Sequence, residues 1–262
     1  MAGLVFYRKI LPLLFIGLFC LSFACAGKGP RGEEETHMGE KQIEARLDLA
    51  ERYFVQGKTR QAIQQLLKVQ NQNPNIPRLN FDLGLAYSAL NDPDKAIDSY
   101  KKAVQTAPDY GEAWNNLGLI YMSEGDLDNA EQSFKKALKI VTYISPEKPA
   151  YNLAQLFDQK NDLQQALKYA RLSVQENWRF IAGYIYSADL LQRLGRDKQA
   201  REMLHQGTEA VPDNLEITLK LAESLVRSGK NQKAKQWFEQ IVRENPESNQ
   251  AKVARDYLEF LE

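Results

Sequence analysis

The chain has 262 residues, with 34 Lys plus Arg against 34 Asp plus Glu, enough for one large or two ordinary domains by length. Removing residues 1–24 takes away Arg8 and Lys9 and no acid, so the remainder carries 32 bases against 34 acids, a net −2. No basic excess exists to release counterions from a polyphosphate, which excludes nucleic acid as a partner class. Cys20 and Cys25 are the only cysteines, so disulfide stapling, thiol catalysis and thiolate metal sites are excluded from residues 26–262. A thiol-free body is compatible with an oxidising compartment.

Residues 1–25 read MAGLVFYRKILPLLFIGLFCLSFAC. Arg8-Lys9 form a positive n-region, and Ile10–Ala24 form an apolar run shorter than the roughly 20 residues a membrane span needs. The run fits the core of a signal peptide. A small residue before a cysteine, Ala24-Cys25, follows that core and resembles the bacterial lipobox, in which the cysteine is lipidated and becomes the new N-terminus. The alternatives are an ordinary cleaved secretory signal and an uncleaved anchor over Leu4–Ala24. On the lipobox reading, residues 1–24 are a lipoprotein signal and 25–42 a lipidated Cys25 with a flexible tether. The stretch Ala26–Met38 is polar and rich in Gly and Glu, with no apolar period. Acyl chains on Cys25 would hold the chain firmly to a membrane, since stable anchoring takes more than one lipid chain. Ala26 stands where some bacteria use Asp to retain lipoproteins at the inner membrane. The lipobox resemblance therefore implies the periplasmic face of the outer membrane.

From residue 43 the chain repeats itself. Residues 43–76 carry Leu49, Ala50, Tyr53, Gly57, Ala62, Leu66 and Pro74; residues 77–110 carry Leu83, Gly84, Tyr87, Ala96, Tyr100, Ala103 and Pro108. The fullest copy is 111–144, in which Trp114, Leu117, Gly118, Tyr121, Ala130 and Phe134 reproduce W-x2-L-G-x2-Y…A-x3-F. That spacing is the signature of the helix–turn–helix unit called the tetratricopeptide repeat. Trp114, Leu117 and Tyr121 share one face of a first helix, Gly118 and Ala130 are small where two helices meet, and Gly125-Asp126 is turn chemistry.

The fourth unit, 147–180, starts two residues late behind Ser145-Pro146 and carries Leu153, Ala154, Phe157, Ala166 and Ala170. Units 181–214 and 215–248 resume the register with Ala188, Ala200 and Pro212, then Ala222, Ala234 and Pro246. Two ladders of small residues run through all six units, at 50, 84, 118, 154, 188 and 222 and at 62, 96, 130, 166, 200 and 234. Residues 249–262 place Val253, Tyr257, Leu258 and Leu261 at helical spacing, as a capping helix should. The expected fold is all-α: a tetratricopeptide-repeat superhelix of six units plus a C-terminal capping helix.

Catalytic chemistry is not legible. His37 and His205 have no partner at metal-ligand or catalytic spacing, and no phosphate-loop, dinucleotide or nucleophile-elbow motif occurs. The expectation is a binding protein, not an enzyme, with no cofactor, no metal site and no small-molecule substrate. First helices of a solenoid line its concave face. Residues flanking each Leu–small pair then define a groove: Leu47, Glu51 and Phe54; Phe81, Leu85 and Ser88; Asn115, Leu119 and Met122; Tyr151 and Gln155, with Asp158; then Ile185, Asp189, Leu219 and Glu223. The N-terminal half of that groove is apolar. It reads either as a cleft for an extended or helical partner segment or, residue by residue, as packing between units.

The stretch Tyr143–Phe157, YISPEKPAYNLAQLF, breaks the period. It reads on one account as a tolerated two-residue turn insertion. Taken with the lipobox-like signal, the tether and the six repeats, it resembles the type IV pilus biogenesis/stability lipoproteins, the PilF/PilW/Tgl group, over essentially all of 25–262. That resemblance implies a lipid-anchored outer-membrane pilotin whose protein partner is the secretin subunit and which promotes assembly of the secretin pore. A general envelope adaptor, in polysaccharide export or cell-wall enzyme control, is the alternative use of the same fold.

Overall fold

The computed structural model describes residues 38–262; the signal segment, Cys25 and the tether to His37 lie outside the described residues. Thirteen helices and no strand occur among the described residues. They run as six antiparallel pairs: α1 Glu40–Val55 with α2 Thr59–Gln70, α3 Pro77–Ala89 with α4 Pro93–Thr106, and α5 Gly111–Ser123 with α6 Leu127–Lys139. The later pairs are α7 Glu147–Gln159 with α8 Leu163–Glu176, α9 Ile181–Arg193 with α10 Asp197–Ala210, and α11 Leu215–Arg227 with α12 Asn231–Glu244. Helix α13, Asn249–Phe260, closes the array against α12 and α11. Each helix packs on its neighbours in sequence. This is the tetratricopeptide superhelix, whose stability is a sum of repeats and nearest-neighbour contacts. No helix among the described residues is long and apolar enough to cross a membrane.

The turn inside each pair has one solution. A residue in the left-handed region ends every first helix: Gly57, Gly125, Gly195 and Gly229, but Asn91 and Asn161 in the second and fourth repeats. In the third, the Asp126 amide donates to the Tyr121 carbonyl at 2.9 Å and the Gly125 amide to Met122 at 3.2 Å. The same two bonds recur in the other five turns, satisfying carbonyls that a helix end leaves open. The next residue then caps the second helix in the middle repeats: Asp92, Asp126 and Asp162 accept from the amides of Lys95, Asn129 and Gln165.

Both ladders of small residues are inside. Ala62, Ala96, Ala130, Ala166, Ala200 and Ala234 are each at most 1% exposed. At Gly118 an added Cβ would lie 2.6 Å from the Phe134 ring, so glycine is there because the aromatic ring of the second helix rests on the backbone of the first. In the second, third and fifth repeats a side chain ties the first helix to the turn before it. Trp114 Nε1 donates to the Pro108 carbonyl at 2.9 Å, and Asn80 Nδ2 to Pro74 at 2.8 Å.

Two departures from the sequence reading concern the ends of repeats. Helix α1 begins at Glu40, three residues inside the stretch read as tether. The Gly39 carbonyl accepts from Gln42 and Ile43, Glu40 favours the helix N-terminus, and Ile43 packs on the first core cluster. At the junction, Tyr143 is buried over Gly111, Pro146 precedes α7, and Pro149 and Ala150 are interior. The ring just before the insertion therefore packs against the start of α5.

Candidate functional site: the first-helix face

The first helices α1, α3, α5, α7, α9 and α11 stand side by side, and side chains cross from one to the next. The residues two short of the conserved Leu position form the seam between repeats. Leu47 is 0% exposed in a cluster with Leu66, Leu79 and Leu83, so it is core and not groove wall. Asn115 is 5% exposed and accepts from Asn152 Nδ2 of α7 at 2.9 Å, so it joins repeats and faces no partner. Phe81 packs its ring 4.9 Å from Tyr110, and Tyr151 packs 5.4 Å from both Phe180 and Tyr186. The cause is common to all four: on a 3.6-residue period this position looks along the array, towards the following helix pair.

Residues beyond the Leu–small pair range from exposed to half-buried. Glu51, Phe54 and Leu85 come together in a pocket of about 50 Å³, with Ala50, Ala62, Leu66, Asp82 and Ala86 completing its wall. Leu119 is 37% exposed on α5. Met122 is half-buried against Phe134 and Leu153. Ser88 turns back onto its own helix, donating to the Gly84 carbonyl at 2.7 Å. Gln155 is half-buried on α7.

A second and larger cleft, about 520 Å³, lies over α9 and α11. Tyr151, Ile185, Asp189 and Glu223 line it, together with Ile181, Tyr186, Gln192, Asn214, Lys220 and Arg227. Tyr186 and Lys220 were missed by the sequence reading, as was Asp82 in the first pocket. All three occupy one position, that immediately before the Leu position of the repeat. The signal was present: the six residues there, Asp48, Asp82, Asn116, Asn152, Tyr186 and Lys220, are polar or amphipathic throughout.

Charge differs between the two pockets. Arg78 donates to Glu44 at 2.9 Å, Asp48 at 2.9 Å and Glu51 at 3.1 Å, and stands 3.9 Å from Asp82. Burial pushes the Asp82 carboxyl up to about 6 against the opposing pull of Arg78. Asp82 Oδ2 is buried without a hydrogen-bond partner. In the second cleft, Lys220 and Arg227 offset two of the three carboxylates Asp189, Glu216 and Glu223. Beside it, Arg193 grips Asp158 with both guanidinium nitrogens at 2.6 Å, and Tyr186 donates to the same carboxylate at 2.8 Å. The Arg193 bond holds Asp158 below the usual carboxylate range. No cluster of His, Cys, Asp and Glu that could hold a metal ion occurs among the described residues. His205 lies on α10, 3.5 Å from Glu209. The face offers surfaces for a polypeptide.

A family model described as the cilia and flagella-associated protein 70 C-terminal domain, a tetratricopeptide-repeat domain, matches residues 23–256. No curated protein matches the sequence. Among solved structures, the chain is similar to PilF of Pseudomonas aeruginosa, with 21% identity and a TM-score of 0.65 over 84% of this chain and 96% of that one. It is similar to PilW, described as a widely conserved type IV pilus biogenesis factor, with 20% identity and a TM-score of 0.63 over 82% and 99%. It also resembles YrrB, a repeat protein described as having an unusual peptide-binding site, with 18% identity and a TM-score of 0.51 over 73% and 97%.

Proposed function

The chain belongs to the tetratricopeptide-repeat family of the cilia and flagella-associated protein 70 C-terminal domain, and on that premise we propose that it is a scaffold that binds a protein partner through its first-helix face. More narrowly, we propose an outer-membrane pilotin: lipid on Cys25 holds the array at the periplasmic face, and the array receives secretin subunits and promotes their assembly for type IV pilus biogenesis. The observation that carries this reading is the extent of the likeness to PilF and PilW, which takes in 96% and 99% of those chains. The pockets lined by Phe54 and Leu85 and by Tyr151, Ile185 and Tyr186 supply apolar contact area for a polypeptide segment.

The test is capture from envelope extract with the full chain as bait. Secretin as the main partner supports the pilotin reading. A different envelope protein as the main partner, with secretin absent, replaces it by the general adaptor.

A further inference from the structure

We propose that the groove of the first two repeats selects a partner segment that presents an aliphatic side chain next to a lysine or arginine. This rests on the reading that the first-helix face binds polypeptide, and adds what chemistry that segment must carry. The apolar part is small. Phe54, Leu66, Leu85 and three alanines enclose about 50 Å³, a third of the roughly 150 Å³ that holds a benzene ring. The end of one leucine, isoleucine or methionine fits it and an aromatic ring does not.

The rim supplies the charge. Glu51 and Asp82 line this pocket, with Glu44 and Asp48 beyond them on α1 and only Arg78 set among the four. Arg52 borders the shallow depression that adjoins Glu51 and ends at exposed Val55. Four carboxylates against two guanidinium groups leave a local charge of −2. Asp82 lines this groove with its Oδ2 buried and only Arg78 Nε near it, at 3.9 Å, too long for a hydrogen bond. Its carboxylate is therefore not neutralised by a bonded donor, and its charge adds to that of Glu51 in drawing an ammonium or guanidinium. The larger cleft over α9 and α11 lies nearer balance, with Lys220 and Arg227 lining it beside Asp189, Glu216 and Glu223, so the preference is stronger at the N-terminal groove.

The experiment uses the full chain in detergent micelles and fluorescent 15-residue amphipathic helical peptides, read by anisotropy. One peptide carries leucines on one face flanked by lysines; its two relatives carry glutamates for the lysines, or alanines for the leucines. The leucine–lysine peptide is expected to bind on the order of tenfold more tightly than either relative, the scale of one charged hydrogen bond or one buried aliphatic chain. The doubly neutralised protein, Glu51→Gln with Asp82→Asn, should lose the preference for lysine over glutamate and keep that for leucine over alanine; Glu223→Gln in the other cleft should change neither. Equal binding of the lysine and glutamate peptides, no binding of any peptide, or an unchanged preference in the doubly neutralised protein overturns the proposal. Secretin capture separates this from the pilotin reading. Wild-type capture with no lysine preference sinks the inference alone, and a lysine preference without secretin capture sinks the pilotin reading alone.

Discussion

Asp82 gives the sharpest energetic prediction. Its carboxyl titrates near 6 in the folded chain against 3.8 for a free side chain. That difference of about 2 units corresponds to about 3 kcal/mol. The shift is upward, so ionised Asp82 penalises the folded state. The full penalty is present above pH 6, and it is relieved as pH falls through 6 towards 4, where the native chain takes up a proton before the unfolded one does. The attraction of Arg78 at 3.9 Å already opposes that shift, so the 3 kcal/mol is a net figure. Asp82→Asn keeps the shape and removes the charge. It should stabilise the first two repeats by about 2–3 kcal/mol at pH 7.5 and by almost nothing at pH 4. In urea, an m-value of about 2 kcal/mol/M converts that gain into a midpoint about 1 M higher at neutral pH. Circular dichroism at pH 7.5, 6 and 4.5 reads the difference between the two proteins, in which carboxylates held low elsewhere, Asp158 among them, cancel. Equal midpoints at pH 7.5, or a difference that persists unchanged to pH 4.5, would refute the reasoning.

Other outcomes test the packing and the face. Ala130→Leu drives a branched side chain into a contact where Ala130 is 0% exposed and should cost about 1–3 kcal/mol in thermal or urea melts; an unchanged melt contradicts the ladder of close contacts. Phe134→Ala empties the space under Gly118, with an expected loss of about 3–5 kcal/mol in the same assay. Asn161→Gly removes a side chain from a left-handed position with φ of 58° and should raise stability by up to about 1 kcal/mol, measured as a shift in the urea midpoint. Leu85→Glu with Leu119→Glu should abolish partner capture while leaving the helical spectrum intact. Loss of helicity would make these residues core.

The register of the array was legible because close helix contacts leave only small residues possible. Ala62, Ala96 and Ala130 announce themselves in sequence for the same reason that they are buried. The turns were half legible. Glycine marks four of them, but Asn91 and Asn161 reach the same left-handed conformation with a side chain and carry no such flag. The face was the least legible part. Leu47 looks like Leu85 in sequence, one turn of helix deciding that the first meets Leu79 and Leu83 and the second opens to solvent. A partner contact and an inter-repeat contact use the same apolar residues, so composition cannot separate them. Asp82 escaped notice because its environment, the Arg78 cluster reaching back to α1, is assembled from residues about 30 positions apart.

The most direct measurement of the central claim is the state of secretin in cells that lack this chain. Envelopes from the deletion strain, run on SDS gels and blotted for secretin, should show SDS-sensitive monomer, with multimers returning on complementation by the wild type but not by the Leu85→Glu, Leu119→Glu protein. Normal SDS-resistant multimers in the deletion strain would contradict the account.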